Sequence, residues 1–520
     1  MTPVPTSVPA PTPISGTGVP AGTTLSRSAP VAGLLVTPEA PGGTGIVHLG
    51  LGNFHRAHQA VYTALAQSAE PGDWGILGVA SRSRRVVDAL RAQDHLYSVL
   101  RIAPEGSGVS VPGVHTGTLV AGEDPAAVVA ALAEPATRVV TLTVTEHGYR
   151  ISRRTGRLDL DADDIAHDLS ARGARAPVTT IGQVARALER RALGHGAPVT
   201  VLSCDNLQSN GTTTRDLVLE FLAASGAGQD VLDWASTSVT FPNSMVDRIV
   251  PATTGRYADE VRRTTGLVDA APVAAEPFSM WVLEDRFAAG RPAWQHGGAV
   301  FSAEVEAYEL VKLRLLNGTH SLIAYLGALD GRATIPEARA QGFVERAARS
   351  VIADEYLPSI ALPRGFDAEA YVEQLFGRWS NSALGHRTSQ VGSDGSMKLP
   401  QRVPAPALRM LADGEMPHHL ALTVAAWLCC VAPVDGFDPG PHAAAMTDPA
   451  RERLAELART APGIEAFVTA VLAHDRLLGD ELAAHSEFAA RVADLARTLT
   501  THGPATATRE VERCGRDRCA

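Results

Sequence analysis

The chain has 520 residues, 45% of them hydrophobic and 20% charged, with a formal net charge of -10 and a pI near 5.9. A balance this acidic argues against a nucleic-acid binder, whose binding domain is usually basic, while leaving room for a local cationic pocket around a small anion. The length allows two large domains or three smaller ones, and each can bury a sizeable core.

Five cysteines, Cys204, Cys429, Cys430, Cys514 and Cys519, fit neither a disulfide framework nor a zinc ribbon, and suit a reducing compartment. No run approaches the roughly 18 apolar residues of a membrane span. The N-terminus lacks the basic and apolar regions of a secretory signal, so a cytoplasmic protein is expected.

In chain order, residues 1–44 are rich in Pro, Thr, Ser and Gly and cannot bury enough apolar surface to offset ordering entropy; they predict a disordered tail. From Gly45 short apolar runs alternate with amphipathic ones. Residues 46–51, 74–81, 138–145 and 199–203 predict strands, and 56–68 and 181–193 predict helices. Strands separated by helices imply βαβ units, so 45–295 reads as a Rossmann-type α/β domain with a mostly parallel sheet. Helical patterns then take over at 305–316, 320–329, 336–352, 368–376, 404–411, 418–431 and 464–478. They predict a mainly α-helical domain over 296–505, a boundary near 290–300 and a C-terminal tail over 506–520.

The first motif is Gly50-Leu-Gly52-Asn53-Phe54-His55, placed after a strand and opening a helix. In a dinucleotide fold the first glycine makes the tight turn, and the second lets the backbone approach the pyrophosphate at a helix N-terminus. His55 stands where the third glycine of the fingerprint would be. His55 and His58 also form H-x-x-H, but no third ligand at helical spacing and no H-E-x-x-H accompany them, so no metal site is expected. After the second strand the sequence is Ser81-Arg82-Ser83-Arg84-Arg85, with no acid before Asp88. An acid there binds the ribose 2′-hydroxyl of NAD, whereas arginine accommodates the 2′-phosphate of NADP; Arg82 therefore leans toward NADP or dual use, against the alternative of a solvated loop.

Asn206 follows the strand at 199–203, at a strand end where open α/β sheets bind ligands. Further on, Glu309, Lys312 and His320 fall within an arc of about 80° on a straight helix, with Asn317 about 60° further round. Burial of such a lysine favours the neutral amine, the form a general base for alcohol oxidation needs. Tyr308-x-x-x-Lys312 is also the pair used by short-chain dehydrogenases, but their opening G-x-x-x-G-x-G is absent and the pair lies far downstream of Gly50. Residues 386–402 read as a Gly/Ser-rich loop in which Arg387 and Lys398 could clamp hydroxyls or a carboxylate.

Taken together, IVHLGLGNFHRAHQA, VTLTVTEHGY, SCDNLQSNG, FPNSMVDRIVP, EPFSMWVLEDRF, KLRLLNGTHSLIAYLG and SDGSMKLPQR resemble the mannitol dehydrogenase family of polyol-specific long-chain dehydrogenases, over roughly residues 45–500. The Lys-Asn-His block is the most specific part. The resemblance implies a Rossmann-type domain, a helical domain and a site in the cleft between them. It implies Lys312 as general base, Asn206 and Asn317 as the pair that polarises the reacting oxygen, and His320 as a residue that orients substrate hydroxyls. It further implies Asp247 and Lys398 as substrate-binding residues, and Glu309, with Glu146, on a path for protons and water. Gly50, Gly52, Asn53, Phe54 and Arg82 would then line the cofactor, NAD by family habit and NADP by the charge at Arg82.

Where mannitol 2-dehydrogenases can place a substrate-binding arginine, this chain has Gln390. The local pattern HRTSQ…DGSMKLPQR, with GRLDL and MVDRIVP, is instead similar to the fructuronate reductase branch, which makes Arg387 the candidate for a substrate carboxylate. The expected chemistry is metal-independent hydride transfer between a nicotinamide cofactor and the secondary alcohol or ketone of a polyol, ketose or hexuronate. Mannitol 2-dehydrogenase or another polyol dehydrogenase is the alternative within that class. A silent nicotinamide-binding sensor is the alternative outside it. No nucleic-acid or membrane partner is expected, and the oligomeric state is left open.

Overall fold

The computed structural model describes residues 22–29, 35–36, 41–152, 154–170, 175–432, 436–473 and 477–516. The chain divides into two compact units, with the break between Glu306 and Ala307.

The first unit is built on a six-stranded sheet: β1 (Thr44–Leu49), β2 (Gly75–Ala80), β3 (His115–Val120), β4 (Val139–Leu142), β5 (Val199–Ser203) and β6 (Val239–Thr240). The spatial order is β3-β2-β1-β4-β5-β6, and every pairing is parallel. This is the doubly wound order of a dinucleotide-binding sheet, which reverses between its first and fourth strands. A parallel sheet covered on both faces needs apolar residues on both, and β1 supplies them by alternation. Ile46 enters one buried cluster with Ala57, Ala60 and Tyr62, while Val47 and Leu49 enter another with Val140, Val184 and Leu188. The expected α/β class holds, and the strand at 138–145 is shorter than its β-branched run suggested.

Three boundaries differ from the sequence reading. Within the expected disordered tail, Thr23–Thr24 pair with Leu267–Val268 and Leu25 is fully buried against Leu96, Val111 and Leu267; residues 1–21 lie outside the described residues. The segment at 290–300, read as a domain boundary, belongs to the first unit. Trp294 is buried there with its indole N–H donating to Thr63 Oγ1 at 3.0 Å, and Val300–Phe301 pair with the strand Met280–Leu283. At the other end, most of the expected tail at 506–520 is the helix Pro504–Arg516, with Ala507, Thr508 and Val511 buried.

In the second unit, all named elements beyond Phe301 are helical among the described residues. The helix His418–Val431 is apolar on every side and runs through the middle of the unit, as a helix without a polar face must. The pattern at 336–352 starts at a capping box of Thr334 and Glu337 and divides into Ile335–Arg339 and Gly342–Ser350, with Gln341 at the N-cap of the second. No helix among the described residues is long and apolar enough to cross a membrane.

Candidate active site

The sheet order reverses between β1 and β4, so a ligand crevice is expected outside the carboxyl ends of these two strands. Gly50 leaves β1 with φ of +107°, and a Cβ there would stand 2.1 Å from the Thr143 carbonyl oxygen at the end of β4. Only glycine fits on both counts. Gly52 is the N-cap of α1 (Asn53–Ala57), and a Cβ on it would meet nothing closer than Gly50 O at 3.6 Å. One glycine thus closes the turn against the sheet, and the other leaves an open cradle of backbone that a side chain would fill. A dinucleotide pyrophosphate fits such a cradle. The helix predicted from 56 onward starts earlier and is interrupted, with α1 followed at His58 by α2 (Gln59–Ala69).

The histidines of this motif are structural. His48, buried on β1, reaches Thr141 Oγ1 (2.8 Å) through Nδ1, and Gly50 O (3.0 Å) and Thr143 Oγ1 (2.9 Å) through Nε2, which fastens the glycine turn to β4. His55 stacks on His48 with ring centroids 3.4 Å apart, and its Nε2 lies 3.2 Å from Nε2 of His115. Burial holds His48 and His115 down at about 3, and holds His55 well below the usual imidazole range. His58 Nε2 donates to Met280 O at 3.0 Å. Among the described residues no group of three or more His, Cys, Asp or Glu is placed to hold a metal ion. Asn53 holds Arg56 Nη2 (2.8 Å) and Thr253 Oγ1 (3.0 Å), and Phe54 stacks on His58. Arg82 lies just past β2 and is exposed.

Beyond β4 the backbone is strained. Thr145 has φ of +66° and ψ of 163°, a region that β-branched residues avoid. It is held by Asp205, at the end of β5. The Asp205 carboxylate accepts the N–H of Val144 (2.9 Å), the N–H of Thr145 (2.8 Å) and the Tyr149 hydroxyl (2.8 Å). Burial pushes the Asp205 carboxyl above its ordinary range, and these three donors pull it back down. The clamp positions two expected site residues. Glu146, exposed, follows Thr145 in a 3-10 turn, and Asn206, exposed, follows Asp205. Asp247 is buried at the end of the strand Ser244–Asp247, opposite Met280. Sequence reasoning passed over Asp205, although it stands beside Asn206. Nothing local indicates that its partners lie sixty residues upstream.

In the second unit the helix that begins at Val305 does not run on as a straight α-helix. Lys312–Gly318 is a seven-residue π segment between the α-helices Val305–Val311 and Thr319–Leu329. The arc drawn for a straight helix is therefore corrected. There Lys312 and Asn317 would stand about 140° apart, whereas i→i+5 bonding stacks residues five apart on one side. Glu309, Lys312 and Asn317 are half-buried and His320 is buried. The Asn317 carbonyl accepts from Arg402 Nη1 (2.9 Å) and Ser321 Oγ (3.3 Å), and Arg402 Nη1 also donates to Ser321 Oγ (2.6 Å). Gly318 permits the close approach of Tyr356, whose hydroxyl would lie 2.3 Å from an added Cβ.

His320 packs on Trp379 and, edge to face, on His386. Its Nε2 is buried without a protein partner. Burial first, and then His386, Arg402, Arg378 and Lys398, hold its ring well below the ordinary imidazole range, so it is neutral. The stretch at 386–402, read as a loop, forms two helices, Thr388–Gly392 and Gly395–Arg402. They carry Lys398 to where its Nζ donates to Ser393 O at 2.7 Å. Arg387, at the N-cap of the first of them, is exposed. The cations that act on His320 include Arg378 and Arg402, which sequence reasoning did not single out.

The sheet order and the open glycine turn define a dinucleotide-binding α/β unit, followed by a helical unit that carries a lysine on a π segment. Two family profiles match the chain, one described as the mannitol dehydrogenase Rossmann domain at residues 44–296 and one as the mannitol dehydrogenase C-terminal domain at residues 304–500. The chain is 39% identical over 446 residues to the uncharacterized oxidoreductase YeiQ of Escherichia coli (strain K12), covering 85% of this chain and 89% of that protein. It is 37% identical over 462 residues to the D-mannonate oxidoreductase of the same organism, covering 88% and 93%. Among solved structures it matches Pseudomonas fluorescens mannitol 2-dehydrogenase in ternary complex with NAD and D-mannitol, with a TM-score of 0.82 and 33% identity over 94% of this chain and 100% of that one. The protein is an oxidoreductase and belongs to the mannitol dehydrogenase family.

Proposed function

We propose that this chain is a fructuronate reductase (D-mannonate oxidoreductase), transferring hydride between a nicotinamide dinucleotide and the C–OH/C=O of a hexuronate without a metal. The observation that carries the choice of substrate is the basic surroundings of His320. Buried Arg378, with Arg402 and Lys398, sets up a positive field that favours a carboxylate over the uncharged end of a hexitol. Arg387, exposed at its helix start, remains a candidate for contacting that carboxylate from the solvent side.

A nicotinamide dinucleotide bound at the Gly50–Gly52 turn supplies the hydride acceptor in oxidation and the donor in reduction. Gly50, Gly52, Asn53, Phe54 and Arg82 would hold it. In oxidation Lys312, as the neutral amine, takes the proton of the substrate hydroxyl. Asn206 and Asn317 donate to the oxygen as negative charge builds on it, an oxyanion-hole role. His320 and Asp247 orient the neighbouring hydroxyls, and Lys398 contributes to holding the substrate. Glu309 and Glu146 return the proton to solvent. In reduction protonated Lys312 gives its proton to the same oxygen.

Initial rates with D-fructuronate and with D-fructose, each with both reduced cofactors, test the assignment. A kcat/KM for fructuronate higher by about two orders of magnitude, roughly 2.7 kcal/mol, is expected from a charge-assisted contact in a low-dielectric site. A preference for fructose would make the protein a mannitol 2-dehydrogenase, the substrate class of the solved relative. Binding of cofactor without turnover of any polyol or uronate would make it a sensor.

A further inference from the structure

We infer that the adenosine end of the dinucleotide site is built for a 2′-phosphate, and that this chain uses NADP(H) in preference to NAD(H). The inference rests on the dinucleotide reading of the glycine turn and adds the cofactor class to it. In a doubly wound sheet the residues leaving the second strand lie beside the adenosine ribose. A carboxylate there accepts from the 2′-hydroxyl and repels a phosphate, whereas an arginine pairs with the phosphate.

β2 is that second strand, and its end is tied to the glycine turn, since the N–H groups of Gly50 and Leu51 donate to Val79 O at 2.9 and 3.0 Å. β2 stops at Ala80. The next five residues are Ser81-Arg82-Ser83-Arg84-Arg85, and all five are exposed. No carboxylate occurs between Asp73, before the strand, and Asp88, a full turn into α3 (Arg84–Arg91). Arg84 is occupied by a two-pronged pair with Glu123, at 2.7 and 2.5 Å. Arg82 and Arg85 have no ion-pair or hydrogen-bond partner among the described residues. The Arg82 stem runs along the turn after β3, its Cγ 3.7 Å from where a Cβ on Gly122 would stand.

The placement of these charges runs against local stability. Arg84 and Arg85 occupy the first turn of α3 with no acidic residue among them, and the Ser83 hydroxyl at the N-cap makes no capping bond. A helix start favours anions and disfavours cations. Two unpaired guanidiniums and two hydroxyls, Ser81 and Ser83, thus flank the position of the 2′-substituent, where an anion would neutralise them and a 2′-hydroxyl would not.

Isothermal titration calorimetry of the full chain with NADP+ and with NAD+, in the absence of substrate, tests this. NADP+ is expected to bind at least about tenfold tighter, with 2′,5′-ADP competing well and 5′-AMP poorly. Arg82→Ala with Arg85→Ala should raise the NADP+ Kd by about tenfold to a hundredfold while weakening NAD+ by no more than about threefold. Ser81→Asp should reverse the preference. NAD+ binding as tightly as NADP+, or a double variant that weakens both alike, overturns the inference and leaves the dinucleotide reading standing. Binding of neither cofactor overturns both.

Discussion

Lys312 stands half-buried at the first position of a π segment, and the proposed chemistry runs through its amine. Lys312→Ala is expected to lower kcat by about 10²–10⁴ with little change in unfolding midpoint, because a general base contributes that much to rate and a half-buried lysine little to stability. A loss of less than about threefold would remove Lys312 from the reaction. The buried histidines make a different prediction. His48 and His115 are held at about 3 and His386 at about 4, chiefly by burial, so all are neutral in the native state at neutral pH. Unfolded, each titrates near 6.5. A depressed histidine contributes stability that is complete above its unfolded pKa and is lost as pH falls toward the folded one. Each can cost up to about 1.4 kcal/mol per pH unit across that window. Urea unfolding should therefore show a steep fall in stability from pH 6.5 to 5, and His115→Gln should flatten it. Equal stability at pH 7 and pH 5 would contradict the neutral, buried assignment.

At the scale of elements, the π segment changes what a helix can present. A straight α-helix spreads Glu309, Lys312, Asn317 and His320 over about 140°. The wider turn gathers Lys312 and Asn317 on one side, and π segments are frequent at functional sites. Its geometry is held by packing. Arg402 occupies the Asn317 carbonyl, and Tyr356, at the end of a second π segment, Val351–Tyr356, presses on Gly318. Gly318→Ala would set a Cβ 2.3 Å from the Tyr356 hydroxyl oxygen. Overpacking of this kind costs about 1–3 kcal/mol, and denaturant unfolding should record it. The same variant should lower kcat more than it raises KM, because it moves Lys312 and Asn317 relative to each other; unchanged kcat would show that the π geometry serves packing alone. The Asp205 clamp on Val144, Thr145 and Tyr149 does the equivalent in the first unit, fixing a strained residue between β4 and Glu146.

At the scale of the whole molecule, the two units divide the labour proposed for them. The first offers an open backbone cradle at the sheet's switch point, and the second offers a lysine and a neutral histidine with cationic neighbours. The mechanism proposed for Lys312, Asn206 and Asn317 would need no Lewis acid. Dialysis against EDTA should leave kcat within experimental error of the untreated enzyme. Loss of activity restored by added zinc would replace the lysine mechanism with metal chemistry.

Much of this was legible in order along the chain, because strand and helix periodicity and a glycine that must take positive φ are local properties of covalent geometry. The apolar run at 46–51, the glycine turn at Gly50 and the ordered set of motifs, above all Lys312 to His320, therefore pointed to the fold class and the family without a structure. What the sequence alone could not decide depends on distant partners. Leu25 is ordered by residues far along the chain, and His55 fills the place of a glycine because His48 and His115 surround it. Asp205 restrains Thr145, and a π turn replaces an α turn where Arg402 and Tyr356 pack against it. Each of these is settled by burial and hydrogen bonding between segments dozens to hundreds of residues apart, which no local pattern records.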